Sequence, residues 1–201
     1  MMALIPEIIP PQAFELIRDR IGAILKDELN RQALLTYDSL LLQTKIKTES
    51  INPEDKAGLP VLNVNFATGV YEGKDYSVGV RANPYSYFID GYTNGKTTSS
   101  VDGDYNAAIK LHKILGKARY ILEHSIYKTL GFSPPFIERV YFSDIGIKEV
   151  GANDAENSMM GRLIFNVVVN ESCKPIIPQL IQGATTIINV NGTNDGYIYQ
   201  V

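Results

Sequence analysis

The sequence predicts an α+β fold: an antiparallel or mixed β-sheet packed against two amphipathic helices, with a C-terminal β-hairpin arm. Three observations predict it. Apolar residues recur at three- and four-residue spacing over residues 11–30 and again over 104–130, the helical period. Between and after these stretches the period drops to two, the strand period. Beyond Pro175 and Pro178 a short hairpin pattern follows on its own. The 201 residues are enough to bury a core, and they divide into a domain over 1–172 and an extension over 173–201.

The first helix is expected to begin at Pro10 and Pro11, since proline is tolerated in a first turn. Phe14, Ile17, Ile21, Ile24, Leu25 and Leu29 then form one apolar stripe, with Arg18, Asp19, Lys26 and Asp27 mostly off it. TYDSLLLQTKIK (36–47) fits a strand or a continued helix, and TESINPEDKAG (48–58) reads as a loop. LPVLNVNF places Leu62, Val64 and Phe66 on one face and Val61, Asn63 and Asn65 on the other. DYSVGVRA alternates likewise through Tyr76, Val78 and Val80, and Gly73 between the two runs predicts a hairpin turn. YSYFIDGY (85–92) reads as a third strand starting after Pro84.

The long helix is expected over about 104–130, roughly 40 Å at 1.5 Å per residue. Its stripe is Ala108, Leu111, Leu115, Ala118, Leu122 and Ile126, widened by Ile114, Ile121 and Leu130. Gly131 and the Pro134–Pro135 pair are its stop signals. FIERVYF then sets Phe136, Glu138, Val140 and Phe142 against Ile137, Arg139 and Tyr141. RLIFNVVVN sets Leu163, Phe165, Val167 and Val169 against Ile164, Asn166, Val168 and Asn170, after a polar loop near GANDAEN. The last hairpin pattern, TTIINV–NGTNDG–YIYQV, carries the turn pairs Asn191-Gly192 and Asp195-Gly196.

Composition narrows the function. The formal charge is −3, from 19 basic and 22 acidic residues, so a basic nucleic-acid face is not expected. No apolar run nears the roughly 18 residues of a membrane helix. The opening MMALIPEIIPP has no basic n-region and is not read as a signal peptide. Cys173 is the only cysteine, which rules out an intrachain disulfide and a Cys-rich metal site and fits a reducing compartment. Asn170-Glu-Ser172 and Asn191-Gly-Thr193 match the glycosylation pattern by chance on this reading.

SSVDGDYNAA (99–108) carries Asp102, Asp104 and Asn106 at alternate positions, as a calcium loop would. Such a loop needs Gly at its sixth position and Glu at its twelfth. Ala107 and Lys113 stand there. The stretch is read as a helix start whose side-chain oxygens accept first-turn N–H groups. His112 and His124, the two histidines, are separated by about 18 Å of helix and cannot share a metal. DGYTNGK (90–96) lacks phosphate-loop spacing, and its Asn94-Gly95 is read as a turn. There is no GxSxG elbow and no HExxH, and Cys173 has no histidine near it in sequence. No catalytic, cofactor-binding or metal-ligating residue is therefore assigned, and an enzyme is not expected.

The segment HKILGKARYILEHSIYKTLGFSPPFIERVYFSDIGIKEVG…GRLIFNVVVNES resembles the C-terminal half of tail-terminator and tail-completion proteins of long-tailed bacteriophages. The first helix and the 60–92 strands extend the resemblance over about residues 11–172. It implies a structural virion protein that closes into a homo-oligomeric, typically hexameric ring. Such a ring caps the tail tube, joins it to the neck and connector proteins on the head side, and lets DNA pass without specific binding. It also implies a virion tail or neck location, with assembly in the host cytoplasm, no cofactor and no membrane. The extension after Cys173 departs from the family plan, so a head-side neck or sheath-terminator protein is the near alternative.

Two other classes compete. An enzyme site could gather distant carboxylates such as Asp90, Asp102 and Glu138. A glycan- or receptor-binding module could stack ligands on Tyr85, Tyr87, Phe88 and Tyr92, although strand propensity accounts for the same run.

Overall fold

Ile17, Ile21, Ile24, Leu25 and Leu29, the stripe of the first helix, are 0–4% exposed, and what they pack on is a sheet. In the computed structural model the described residues are 11–50, 60–70, 81–98, 100, 102–133, 136–149, 157–171, 185–189 and 196–200. The fold is α+β, with three helices and a mixed five-stranded sheet. In chain order the elements are α1 (Ala13–Thr36), α2 (Ser39–Gln43), β1 (Lys45–Thr48), β2 (Val61–Gly69), β3 (Arg81–Gly95), α3 (Gly103–Glu123), β4 (Ile137–Glu149) and β5 (Asn157–Glu171). The sheet order is β1-β2-β3-β5-β4. Only β1 and β2 are parallel; the other pairs are antiparallel. The chain divides into two units, Met1–Glu171 and Ser172–Val201. In the second, β6 (Thr185–Asn189) pairs antiparallel with β7 (Gly196–Gln200).

α1 starts at Ala13, two residues after the proline pair. Gln12 is its N-cap, and the Glu15 carboxylate accepts the Gln12 N–H at 2.8 Å. It stops at Tyr37, which adopts the left-handed conformation (φ 52). The ambiguous 36–47 stretch becomes both alternatives in turn: α2, capped by the Asp38 carboxylate on the Leu40 N–H, then β1.

β2 alternates as its sequence predicts. Leu62, Val64 and Phe66 are level with Gly91, Ile89 and Tyr87 of β3. These positions face the helices, as the Tyr87 hydroxyl shows by donating to the Phe14 carbonyl at 3.0 Å. Gly91 and Gly161 leave room for Leu111 and Leu115 of α3; a Cβ at 161 would come within 2.5 Å of Leu115 Cδ1.

Four sequence expectations are corrected. β3 does not start after Pro84 but runs through it for 15 residues. The Pro84 carbonyl accepts from the Val70 N–H, so its missing donor falls where the β2 ladder ends, a position a strand tolerates. Residues 71–80, with Gly73, Tyr76, Val78 and Val80, lie outside the described residues. Asn94-Gly95 is no turn but the last rungs of β3, opposite Ser158 and Asn157.

The long helix ends at Glu123, short of 130. His124 turns to extended backbone (ψ 141) and caps a 3-10 turn, Ser125–Tyr127. Ile126 is consequently 69% exposed, while Leu130, at positive φ, is buried on its own account. Pro134 and Pro135 lie outside the described residues. In β4 a bulge at Glu138 inserts one extra residue between Ile137 and Arg139, and an extra residue switches face. Ile137, 6% exposed, therefore joins Val140 and Phe142 on the helix side instead of Arg139 and Tyr141. The alternation expected in β5 is observed: Leu163, Phe165, Val167 and Val169 are all 0% exposed on the helix side. The GANDAEN loop, up to residue 156, lies outside the described residues. So do the side chains of the last hairpin.

Candidate functional site: the helix-free face and the edges of the sheet

α1 and α3 pack on one face of the sheet. Among the described residues no helix packs on the other. That second face is crossed by a chain of polar side chains set by strand alternation. Asn63 donates to the Ser50 carbonyl (2.8 Å) and to Asn65 Oδ1 (3.0 Å), and Asn65 donates to Asp90 Oδ2 (3.3 Å). Arg162 completes the chain with two bonds to the Asp90 carboxylate. Its guanidinium lies 4.0 Å from the Phe88 ring centroid, a cation–π contact. Asp90 is 2% exposed and Arg162 40%, so one end of the pair is dry and the other wet. The bond to Asp90 holds the Arg162 guanidinium above its usual pKa, against a smaller opposing effect of burial. A second row runs Ser86–Asn166–Ser143 with bonds of 2.6 and 2.9 Å. These polar groups satisfy one another, and that is the condition for keeping them in a sheet.

The sequence-derived candidates are dispersed. Asp102 is the N-cap residue of α3, but its side chain makes no cap bond. The Gly103 N–H is taken by the Thr97 hydroxyl at 3.1 Å, and the Asn106 amide reaches back to the Lys96 carbonyl. The capping is thus done from the preceding loop, a correction to the expected cap. Among the described residues no three His, Cys, Asp or Glu side chains gather as a metal group would. His112 and His124 are exposed, the latter accepting the Ile126 N–H on Nδ1. Asp90 and Glu138 do not meet: Glu138 sits in the bulge between the Val169 and Val168 rungs and Asp90 beside Arg162, at least six residues apart along β5 and roughly 20 Å at the strand rise. Asp102 follows the opposite end of β3. Tyr85 (1% exposed) and Tyr87 (0%) are core residues, which leaves Phe88 and Tyr92, half-buried on the other face, of the four proposed stacking rings.

The edges are the conspicuous surfaces. β4 is an edge strand of 13 residues, and Tyr141, Ile145 and Ile147 on it are 42%, 51% and 46% exposed. Ile145 and Ile147 lie level with Leu163 and Gly161 and so point to the helix side, where α3 lies mainly over β3 and β5. β1 is the other edge. Beside it runs a cleft of about 740 Å³ between α1 and β1, lined by Asp19, Gly22, Ala23, Lys26, Ile46, Lys47, Thr48 and Ser50. A smaller hollow of about 260 Å³ lies between the C-terminal turns of α1 and α3, where the Tyr127 hydroxyl donates to Glu28 at 2.6 Å. That bond and burial raise the Tyr127 pKa.

No helix among the described residues is long and apolar enough to cross a membrane. No known family model matches the chain, and no curated protein matches it.

Proposed function

We propose that the protein is a structural, non-enzymatic component of a phage virion, a tail terminator whose copies close into a hexameric ring. The ring caps the tail tube and meets the neck and connector proteins on the head side, and DNA passes through it without specific binding. The observation that carries this reading is the β4 edge: a long strand that no other strand pairs on its outer side among the described residues, with Tyr141, Ile145 and Ile147 exposed, is a surface suited to another chain. The order helix, strands, long helix, two strands is in keeping with the family that the sequence resembles. The net charge of −3 suits a passage that should not grip phosphate. The extension after Cys173 serves as an arm that contacts a neighbouring subunit or tail protein. Assembly takes place in the host cytoplasm.

Native mass spectrometry with negative-stain imaging of the purified chain tests the reading. Ring-sized particles of six copies are expected. A monomer that binds glycans would replace this reading with that of a binding module, for which Phe88 and Tyr92 remain as stacking residues. A head-side neck or sheath-terminator position is separated from the tail-terminator one by which purified neighbour, tube or connector, the ring binds.

A further inference from the structure

Rows of paired residues cross the whole sheet and end at its two edges. One runs Ile46–Leu62–Gly91–Gly161–Ile147, the next Lys47–Asn63–Asp90–Arg162–Gly146, and the third Thr48–Val64–Ile89–Leu163–Ile145. The four residues of β1 therefore stand level with Ile145–Lys148 of β4. Through the alternations between them, β4 runs opposite to β1. A rotation about an axis along the strands, with no rise, keeps both level and direction. It brings the β4 edge of one copy antiparallel to the β1 edge of the next.

We propose that the subunits of the ring join in this way, β4 of one copy pairing with β1 of its neighbour so that the sheet continues across the interface. Ile147 then stands beside Ile46 and Ile145 beside Thr48, all on the helix side, and the two isoleucines enter the cleft between α1 and β1. Gly22 keeps that cleft open, since a Cβ there would lie 3.0 Å from the Thr48 methyl. On the other face Lys47 lies over Gly146, whose missing side chain would meet nothing within 4 Å in the isolated chain. Exposed Asp144, two residues along, is a diagonal neighbour within reach of the Lys47 ammonium. Glu49, which follows the end of β1 at positive φ, is no obstacle, because its carboxylate is turned back to the Phe66 N–H and towards Arg18. A slip of one residue would turn the isoleucines to the wrong face, so the register is specified.

This inference rests on the ring reading, and the test separates the two. In a Cys173→Ser background, Lys47→Cys and Gly146→Cys are combined in the full chain, oxidised, and run on a non-reducing gel. Paired strands bring such Cβ atoms within disulfide range. The expected result is a ladder of covalent multimers up to the ring number, absent from either single variant. Ile145→Lys with Ile147→Lys, both at exposed positions, should keep the monomer's circular dichroism and abolish the ring. Rings that form without the ladder overturn the edge pairing alone, as when the 185–200 hairpin of a neighbour takes the edge instead. A covalent dimer from Gly146→Cys alone would show a symmetric β4–β4 contact and also overturns it. A parent chain that stays monomeric overturns the ring reading and this inference together.

Discussion

Arg162 holds the Asp90 carboxylate from the neighbouring strand with two nitrogens, Nε to Oδ1 at 2.6 Å and Nη2 to Oδ2 at 2.9 Å. The pair is asymmetric in solvent, and its two halves should not be equally dispensable. Arg162→Ala strands a carboxylate that is 2% exposed, a loss of about 1–3 kcal/mol for a buried acceptor left without its main partner. Asp90→Asn should cost less, because the partly exposed guanidinium finds water and still rests on Phe88. Urea unfolding of the two variants measures the order; an Asp90→Asn loss exceeding that of Arg162→Ala would contradict it.

The core stripe of α3 gives a sharper contrast. Leu115 and Leu122 are 1% and 0% exposed, so Leu→Ala at either should cost about 2–5 kcal/mol. His112→Ala, on the exposed side of the same helix, should change stability by less than about 0.5 kcal/mol. Equal tolerance at both kinds of position would mean that α3 does not pack as described.

At the start of α3, Thr97 is expected to matter more than Asp102. Thr97→Val removes the hydroxyl that accepts the Gly103 N–H and should cost about 0.5–2 kcal/mol. Asp102→Ala loses only a favourable charge near the helix dipole, at most about 1 kcal/mol and screened by salt. Thermal melts at low and high salt would expose the reverse order. Added calcium should leave both melting temperatures unchanged.

Asp38 links the helical layer to pH. Burial pushes its pKa up, but the Lys113 ammonium at 2.6 Å and the Leu40 and Leu41 N–H groups outweigh this and hold it below the ordinary aspartate value. A carboxyl with a depressed folded pKa adds stability above its unfolded pKa, and that stability is lost as pH falls through the folded value. The wild-type chain should therefore lose stability below about pH 4 more steeply than Asp38→Asn, which carries no charge to lose. Parallel acid-unfolding curves for the two proteins would show that the ion pair is not felt.

Deletion of residues 174–201, which lie in the second unit of the chain, should leave a folded protomer with a two-state transition and weaken assembly. A truncated chain that unfolds would place the arm in the core. Full-strength rings from the truncated chain would remove it from assembly.

Periodicity made the two helices and the faces of β2 and β5 legible, because Ile17 to Leu29 and Leu163 to Val169 repeat without interruption. It failed where one residue breaks the count. The bulge at Glu138 reverses Ile137, and nothing in FIERVYF marks an extra residue. Pro84 reads as a boundary because its missing N–H is visible in sequence, while the end of the β2 ladder that makes it harmless is not. The spacing overstates the length of α3 because Ile126 and Leu130 keep it after His124 has left the helix. The Asp90–Arg162 pair joins residues 72 positions apart, beyond any local pattern. Its one local trace is Asn63 and Asn65, two amides alternating in an otherwise apolar strand.

The longest ladder in the sheet also sets an order of events during synthesis. β3 meets β5 over 15 rungs, from Arg81↔Glu171 to Gly95↔Asn157, so each rung closes a loop of at least about 60 residues. The β2–β3 hairpin and α1 can form on the nascent chain, but the central strand keeps one bare side until residue 171 has left the ribosome. The edges at β1 and β4 lie at the rim of the finished sheet, whereas this temporary edge lies at its centre and carries Tyr85, Tyr87 and Ile89. Slow, non-local closure of that kind is the step at which such chains aggregate. The yield of soluble protein should accordingly depend on translation speed and temperature more than on the stability of the folded domain.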